Sequence, residues 1–133
     1  MKDTLTDVIL SIKPVYANAI LEGVKTVEFR KRIFKKNVDK IFIYSSSPIK
    51  MIVGYFTFSN IVEDTPENLW KIFHQVGGIN KDDFFEYYKE TEKGFGIVIK
   101  EVVKFEAEKD PMEFIENFTA PQSYVYLERE LLN

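Results

Sequence analysis

At 133 residues, 45% hydrophobic and 15% aromatic, the chain lies far from the low-hydrophobicity regime of disordered proteins. Its length is enough to bury roughly two thirds of the unfolded surface, in one domain spanning residues 1–133. The absence of cysteine excludes disulfides and thiolate metal sites, and no apolar run approaches the ~20 residues that cross a bilayer, so no membrane partner is expected.

The first residues include an acid and lack the apolar stretch of a secretory signal, which favours a cytoplasmic location. The net charge of −3 hides an uneven distribution. Residues 23–40 carry seven bases (Lys25, Arg30, Lys31, Arg32, Lys35, Lys36 and Lys40) against Glu28 and Asp39, a local charge of +5 that leaves −8 elsewhere. A basic side steers anionic ligands more effectively than the total charge suggests.

In chain order, residues 8–12 form a short β-branched run that reads as a buried strand. Pro14 then opens a short helix that Gly23 stops. Residues 25–32 alternate, with Val27 and Phe29 on one face and Thr26, Glu28, Arg30 and Arg32 on the other, which is a strand with one apolar and one charged face. Residues 40–44 and 51–61 are two more strands joined through Ser45, Ser46, Ser47 and Pro48, and Gly54 marks a bulge or bend in the second.

Thr65 and Pro66 cap a helix with an apolar stripe ending at Gly77 and Gly78, and Asn80 caps an aromatic-rich helix after it. Residues 95–105 are a long strand, Asp110 and Pro111 start a last short helix, and residues 124–127 close the chain's strands. About six dispersed strands with three or four helices indicate an α+β fold: a small, curled, mostly antiparallel sheet or barrel with peripheral helices.

His74 is the lone histidine, so neither a multi-His metal site nor an imidazole-served serine nucleophile can be built, and no phosphate-cradling glycine loop occurs. No cofactor is called for. What remains is a polar constellation around the second strand: Lys13, Lys25, Glu28, Arg30, Ser45 and Ser46 at neighbouring strand ends. Lysine and arginine there can donate to phosphate or carboxylate, while Glu28 accepts from a base edge or orients Arg30. In the bland alternative Glu28 and Arg30 pair only to tidy an exposed sheet face.

These residues resemble a known signature. Residues 10–14, 20–23 and 25–32, above all the spacing of Gly23, Lys25, Thr26, Glu28 and Arg30, resemble the opening of the ASCH domain, of the PUA-like superfamily. Residues 43–48, Val53 and Gly54, Leu69 and Trp70, and residues 120–124 extend the resemblance over nearly the whole chain. It implies a PUA-like barrel and RNA binding linked to transcription or translation. The partner is then RNA, another nucleic acid or a nucleotide-like small molecule, in a cleft lined by Lys25, Glu28 and Arg30.

Lys31, Arg32, Lys35 and Lys36 are expected to touch the nucleic-acid backbone, and Tyr44, Tyr88 or Tyr124 to supply a stacking wall. An enzymatic alternative, hydrolysis of an acylated nucleoside or of RNA, would use Lys25 and Glu28 as catalytic groups. Small proteins similar to ASCH domains hydrolyse acylated cytidine amides with a lysine, a threonine and a glutamate. Lys25 matches the lysine, but Glu28 stands at the threonine position and Gly77 and Gly78 precede the later helix where the glutamate belongs. A third alternative is a protein interaction module, marked by an apolar patch on the helical side.

Overall fold

The apolar runs become six strands of one sheet in the computed structural model, which describes residues 6–127. In chain order the elements are β1 (Thr6–Ile12), α1 (Pro14–Leu21), β2 (Val27–Arg30), β3 (Val38–Ser45), β4 (Met51–Asp64), α2 (Pro66–Phe73), α3 (Lys81–Tyr87), β5 (Gly94–Lys109), a 3-10 turn (Pro111–Glu113) and β6 (Tyr124–Leu127). The sheet order is β2-β5-β4-β3-β1-β6, with β1 and β3 parallel and every other pair antiparallel.

Local sequence explains the helix ends. Pro14 sits in the first turn of α1, where its missing N–H costs nothing, and Gly23 leaves that helix at φ +81°, a conformation L side chains resist. Thr65 Oγ1 accepts from Asn68 N at 3.2 Å and Asn80 Oδ1 from Asp83 N at 2.8 Å, so α2 and α3 start on side-chain caps.

One core lies between α1 and the sheet. Ala17 and Ile20 of α1 pack on Val8, Leu10, Ile41, Ile43, Phe56 and Ile97, all buried. Each such large apolar side chain contributes on the order of 1.5–3 kcal/mol when fully buried. A second cluster joins Val27 and Phe29 of β2 to Leu69, Phe84 and Tyr88 of α2 and α3 and the turn after it, with the Phe29 and Phe84 rings edge to face at 4.9 Å. Consequently β2 has covered residues on both faces, and all four of them are buried.

Gly54 sits beside the expected irregularity. Register shifts flank it on both β3 and β5, and a Cβ built there would lie 2.3 Å from the Val103 carbonyl oxygen. The strand curls at this point because backbone approaches backbone. The hydrogen-bonded ladder does not close into a barrel: β2 and β6 are its two edges. Residues 31–37 cross from one edge towards the other, where Tyr126 Oη accepts from Lys35 N at 2.8 Å and Lys36 N at 3.2 Å. Among the described residues no helix is long and apolar enough to cross a membrane.

Candidate nucleic-acid interface

Strand alternation directs Val27 and Phe29 towards α2 and α3 and turns Glu28 and Arg30 the other way, into a cleft. Lys25 Nζ donates to the Gly77 carbonyl oxygen at 2.5 Å and lies 3.6 Å from Glu28 Oε1. Arg30 Nη1 donates to Glu28 Oε2 at 3.1 Å and to the Ser11 carbonyl oxygen at 3.2 Å, while Nη2 reaches the Ser123 carbonyl oxygen at 3.3 Å and its Oγ at 3.2 Å. The row Lys25, Glu28, Arg30 is thus a mutually paired set, and the three residues are only 3%, 5% and 9% exposed. The charged face of β2 is the floor of a cleft, not a solvated surface.

The Gly77 and Gly78 turn is what closes over Lys25. A Cβ at Gly77 would lie 2.6 Å from the Phe29 ring, and one at Gly78, φ +63°, would lie 2.6 Å from Lys25 Cβ. Only glycines let the turn lie that close to the lysine stem and the ring.

Above this floor is a cavity of about 870 Å³. Its walls come from Ser11, Lys13 and Tyr16 at the β1–α1 junction, Ser46 after β3, Gln122 and Ser123 ahead of β6, Ile79, and Asp83, Glu86 and Tyr87 of α3; Lys31 and Arg32 follow the floor. Five bases therefore line it against three acids, Glu28, Asp83 and Glu86. Neither Lys13 nor Arg32 has a hydrogen-bond or ion-pair partner for its side chain among the described residues, and the Lys31 ammonium lies 4.9 Å from the Tyr87 ring centroid.

Burial pushes the Lys25 ammonium below its ordinary value, against the opposing pull of Glu28. Tyr16 is raised, first by burial and then by the Asp83 and Glu28 carboxylates. Tyr87 is raised mainly by burial, and its hydroxyl accepts from Lys31 N at 3.2 Å. A lysine with a lowered value beside a carboxylate can exchange a proton with a bound molecule.

The structure brings together Lys13, Lys25, Glu28, Arg30, Lys31, Arg32 and Ser46. Six other expected positions lie elsewhere. Ser45 is 2% exposed and holds the end of β3 between Ile12 and Met51, so the ladder occupies both its sides. Lys35 and Lys36 lie outside the cleft on the crossing segment, with the Lys36 ammonium 4.5 Å from the Tyr126 ring centroid. Tyr44 packs on Phe118 at 5.4 Å, on the other face of the sheet.

Tyr88 is core, its hydroxyl donating to the carbonyl oxygens of Arg30 at 3.0 Å and Phe95 at 3.3 Å, and Tyr124 packs on Phe34. The tyrosines that do line the cleft are Tyr16 and Tyr87. Tyr87 carried a readable signal: with Asp83 and Glu86 it stands at i, i+3, i+4 on α3, offset from the core pair Phe84 and Tyr88. Gln122 and Ser123 carried a signal only through the family resemblance of residues 120–124, which gave them no place in the cleft.

The ASCH domain profile matches residues 10–108, three quarters of the chain. The chain belongs to the ASCH domain family. It is 29% identical over 127 residues to a protein of Zymomonas mobilis subsp. mobilis described as an ASCH domain-containing ribonuclease, covering 93% of this chain and 86% of that one. The crystal structure of ASCH from Zymomonas mobilis superposes with a TM-score of 0.88 at 28% identity, over 94% of this chain and 90% of that one. A segment of the large ribosomal subunit protein uL22 of Ureaplasma parvum serovar 3 is 26% identical over 128 residues, which is 95% of this ASCH domain but 40% of that protein. The expected six-strand α+β architecture of an ASCH domain is therefore present, as a curled mixed sheet whose ladder stays open.

Proposed function

We propose that this ASCH domain binds single-stranded RNA, with one nucleotide seated in the cleft above β2 and the flanking phosphates on Lys13, Lys31 and Arg32. The observation that carries the reading is an imbalance. The floor pairs two bases with one acid, and Lys13 and Arg32 line the same cavity with no ion-pair partner among the described residues, so the site presents positive charge to an incoming anion. The volume lies in the range of small-ligand sites and admits a nucleotide rather than a duplex. Tyr16 and Tyr87 offer ring surface to an unstacked base. The description of the Zymomonas mobilis relative as a ribonuclease supports RNA over other anions.

Fluorescence anisotropy of a labelled single-stranded RNA pool over a salt series tests this. Affinity falls with salt, and Arg32→Ala lowers the slope of log affinity against log salt by about 0.7, the value for one phosphate contact on a single strand. Binding that ignores salt, or that Arg32→Ala and Lys13→Ala leave unchanged, would show the site to be misplaced.

Cleavage of the bound strand is a second reading, favoured by the relative's description and by the lowered Lys25. In that reaction the 2′-hydroxyl attacks the adjacent phosphorus, giving its proton to neutral Lys25 while Glu28 holds the ammonium that results, and the P–O bond to the next nucleotide breaks, its 5′-oxygen taking a proton from water and leaving a 2′,3′-cyclic phosphate. Loss of RNA cleavage in Lys25→Met with RNA binding retained would support it; a wild-type protein that leaves bound RNA intact would remove it. The same pair of assays, run with an acylated nucleoside, covers amide hydrolysis.

A further inference from the structure

The cleft carries one acid that neither the floor network nor the helix caps use. On α3, Asp83 is tied to the helix start, its Oδ2 accepting from Asn80 Nδ2 at 3.1 Å and its own N–H donating to Asn80 Oδ1 at 2.8 Å. Glu28 is held by Lys25 and Arg30. Glu86 lines the cavity, is exposed, and its carboxylate has no hydrogen-bond or ion-pair partner among the described residues. It stands one residue before Tyr87, whose ring is the stacking surface on that wall.

We propose that Glu86 is a specificity residue that accepts a hydrogen bond from the ribose 2′-hydroxyl of the bound nucleotide and so selects RNA over DNA. The proposal rests on the RNA-binding reading above and names the part of the ligand that faces α3. Phosphates are drawn to Lys13, Lys31 and Arg32 and repelled by the α3 carboxylates, so a nucleotide in this cleft turns its uncharged part towards α3. A carboxylate accepts and cannot donate, so it rewards a ligand group that carries a hydrogen-bond donor. The sugar hydroxyl is the donor that RNA has and DNA lacks.

Anisotropy with matched oligonucleotides of one sequence tests this: ribose, deoxyribose and 2′-O-methyl, against wild type and Glu86→Ala. Wild type binds the ribose form about tenfold more tightly than either analogue, the worth of one charge-assisted hydrogen bond. In Glu86→Ala that ratio falls towards one while the deoxyribose form binds as well or better, because a carboxylate near the phosphates is gone. Glu86 is exposed on its helix, so the variant folds, which a circular dichroism melt verifies. A ratio unchanged by Glu86→Ala overturns the proposal and leaves RNA binding standing, since a contact to a base N–H or to nothing would give that result. Equal weakening of all three ligands overturns it as well, and failure of wild type to bind any of them overturns both readings.

Discussion

Arg30 and Ser123 join the two free edges of the sheet: Nη2 of the β2 arginine lies 3.3 Å from the Ser123 carbonyl oxygen and 3.2 Å from its Oγ, just ahead of β6. Where the backbone ladder stops, a guanidinium fork completes the ring, and the same fork forms the cleft floor through Glu28. Arginine suits the task because its planar fork serves several acceptors at once. Arg30→Met is expected to cost about 3 kcal/mol, since it breaks a buried pair and leaves Glu28 to Lys25 alone. Ser123→Ala, which removes one acceptor, is expected to cost about 1 kcal/mol. Urea unfolding of both variants checks this; equal costs would mean that the arginine acts only through Ser123.

Stability should follow pH through Lys25. Its lowered value means that the unfolded chain binds more protons than the folded one between that value and the ordinary 10.5. The folded state is therefore penalised at neutral pH and gains as pH rises into that window. In urea the wild-type midpoint rises from pH 7 to pH 9 relative to that of Lys25→Met, which has no ammonium to desolvate. A variant that tracks the wild type across this range would show that Lys25 is better solvated than its burial implies.

Tyr88 acts in the opposite direction at the alkaline end. Burial, and then Tyr87, hold its hydroxyl far above the ordinary 10, so the folded state keeps a proton that the unfolded chain releases. Its contribution is fully present below pH 10 and is lost as pH climbs above that. Tyr88→Phe loses the hydrogen bonds to Arg30 and Phe95 and is expected to be about 1 kcal/mol less stable at pH 7. Above pH 10 the two proteins should converge, and thermal melts at pH 7 and pH 11 give the comparison.

Gly78→Ala places a methyl group in a left-handed conformation and against the Lys25 stem, so it should cost about 1–2 kcal/mol and weaken RNA binding together. Gly54→Ala meets the Val103 carbonyl far from the cleft, so it should destabilise at least as much while sparing affinity per folded molecule. Melting temperature and anisotropy measured on the same preparations separate these effects.

Much of this was legible in the sequence because period and punctuation are local. Proline, glycine and capping residues marked α1, α2 and α3, and the alternation of Val27, Glu28, Phe29 and Arg30 announced a two-faced strand. What alternation cannot say is what covers each face, so a cleft floor and a solvated ion pair both stayed open for Glu28 and Arg30, and it is the β1–α1 junction and Ser123 that enclose them. The expected barrel stops short of backbone closure, and the side-chain contact that joins its edges was not legible, since Arg30 meets Ser123 across 93 residues. Lys35 and Lys36 share a charge run with Lys31 and Arg32, yet the chain turns away after Arg32, and charge alone carries no direction. Tyrosine was abundant enough that spacing on α3, not residue type, had to single out Tyr87.

The central claim is that RNA enters the cleft above Lys25, Glu28 and Arg30, and an amide chemical-shift map tests it most directly. Uniformly 15N-labelled protein is titrated with a short single-stranded oligoribonucleotide. The account predicts that the largest shifts fall on Lys13, Tyr16, Lys31, Glu86 and Ser123, around one cavity. Shifts gathered instead on the shallow hollow of Phe34, Asn37 and Phe58, or along the outer edge at Val125, would contradict it.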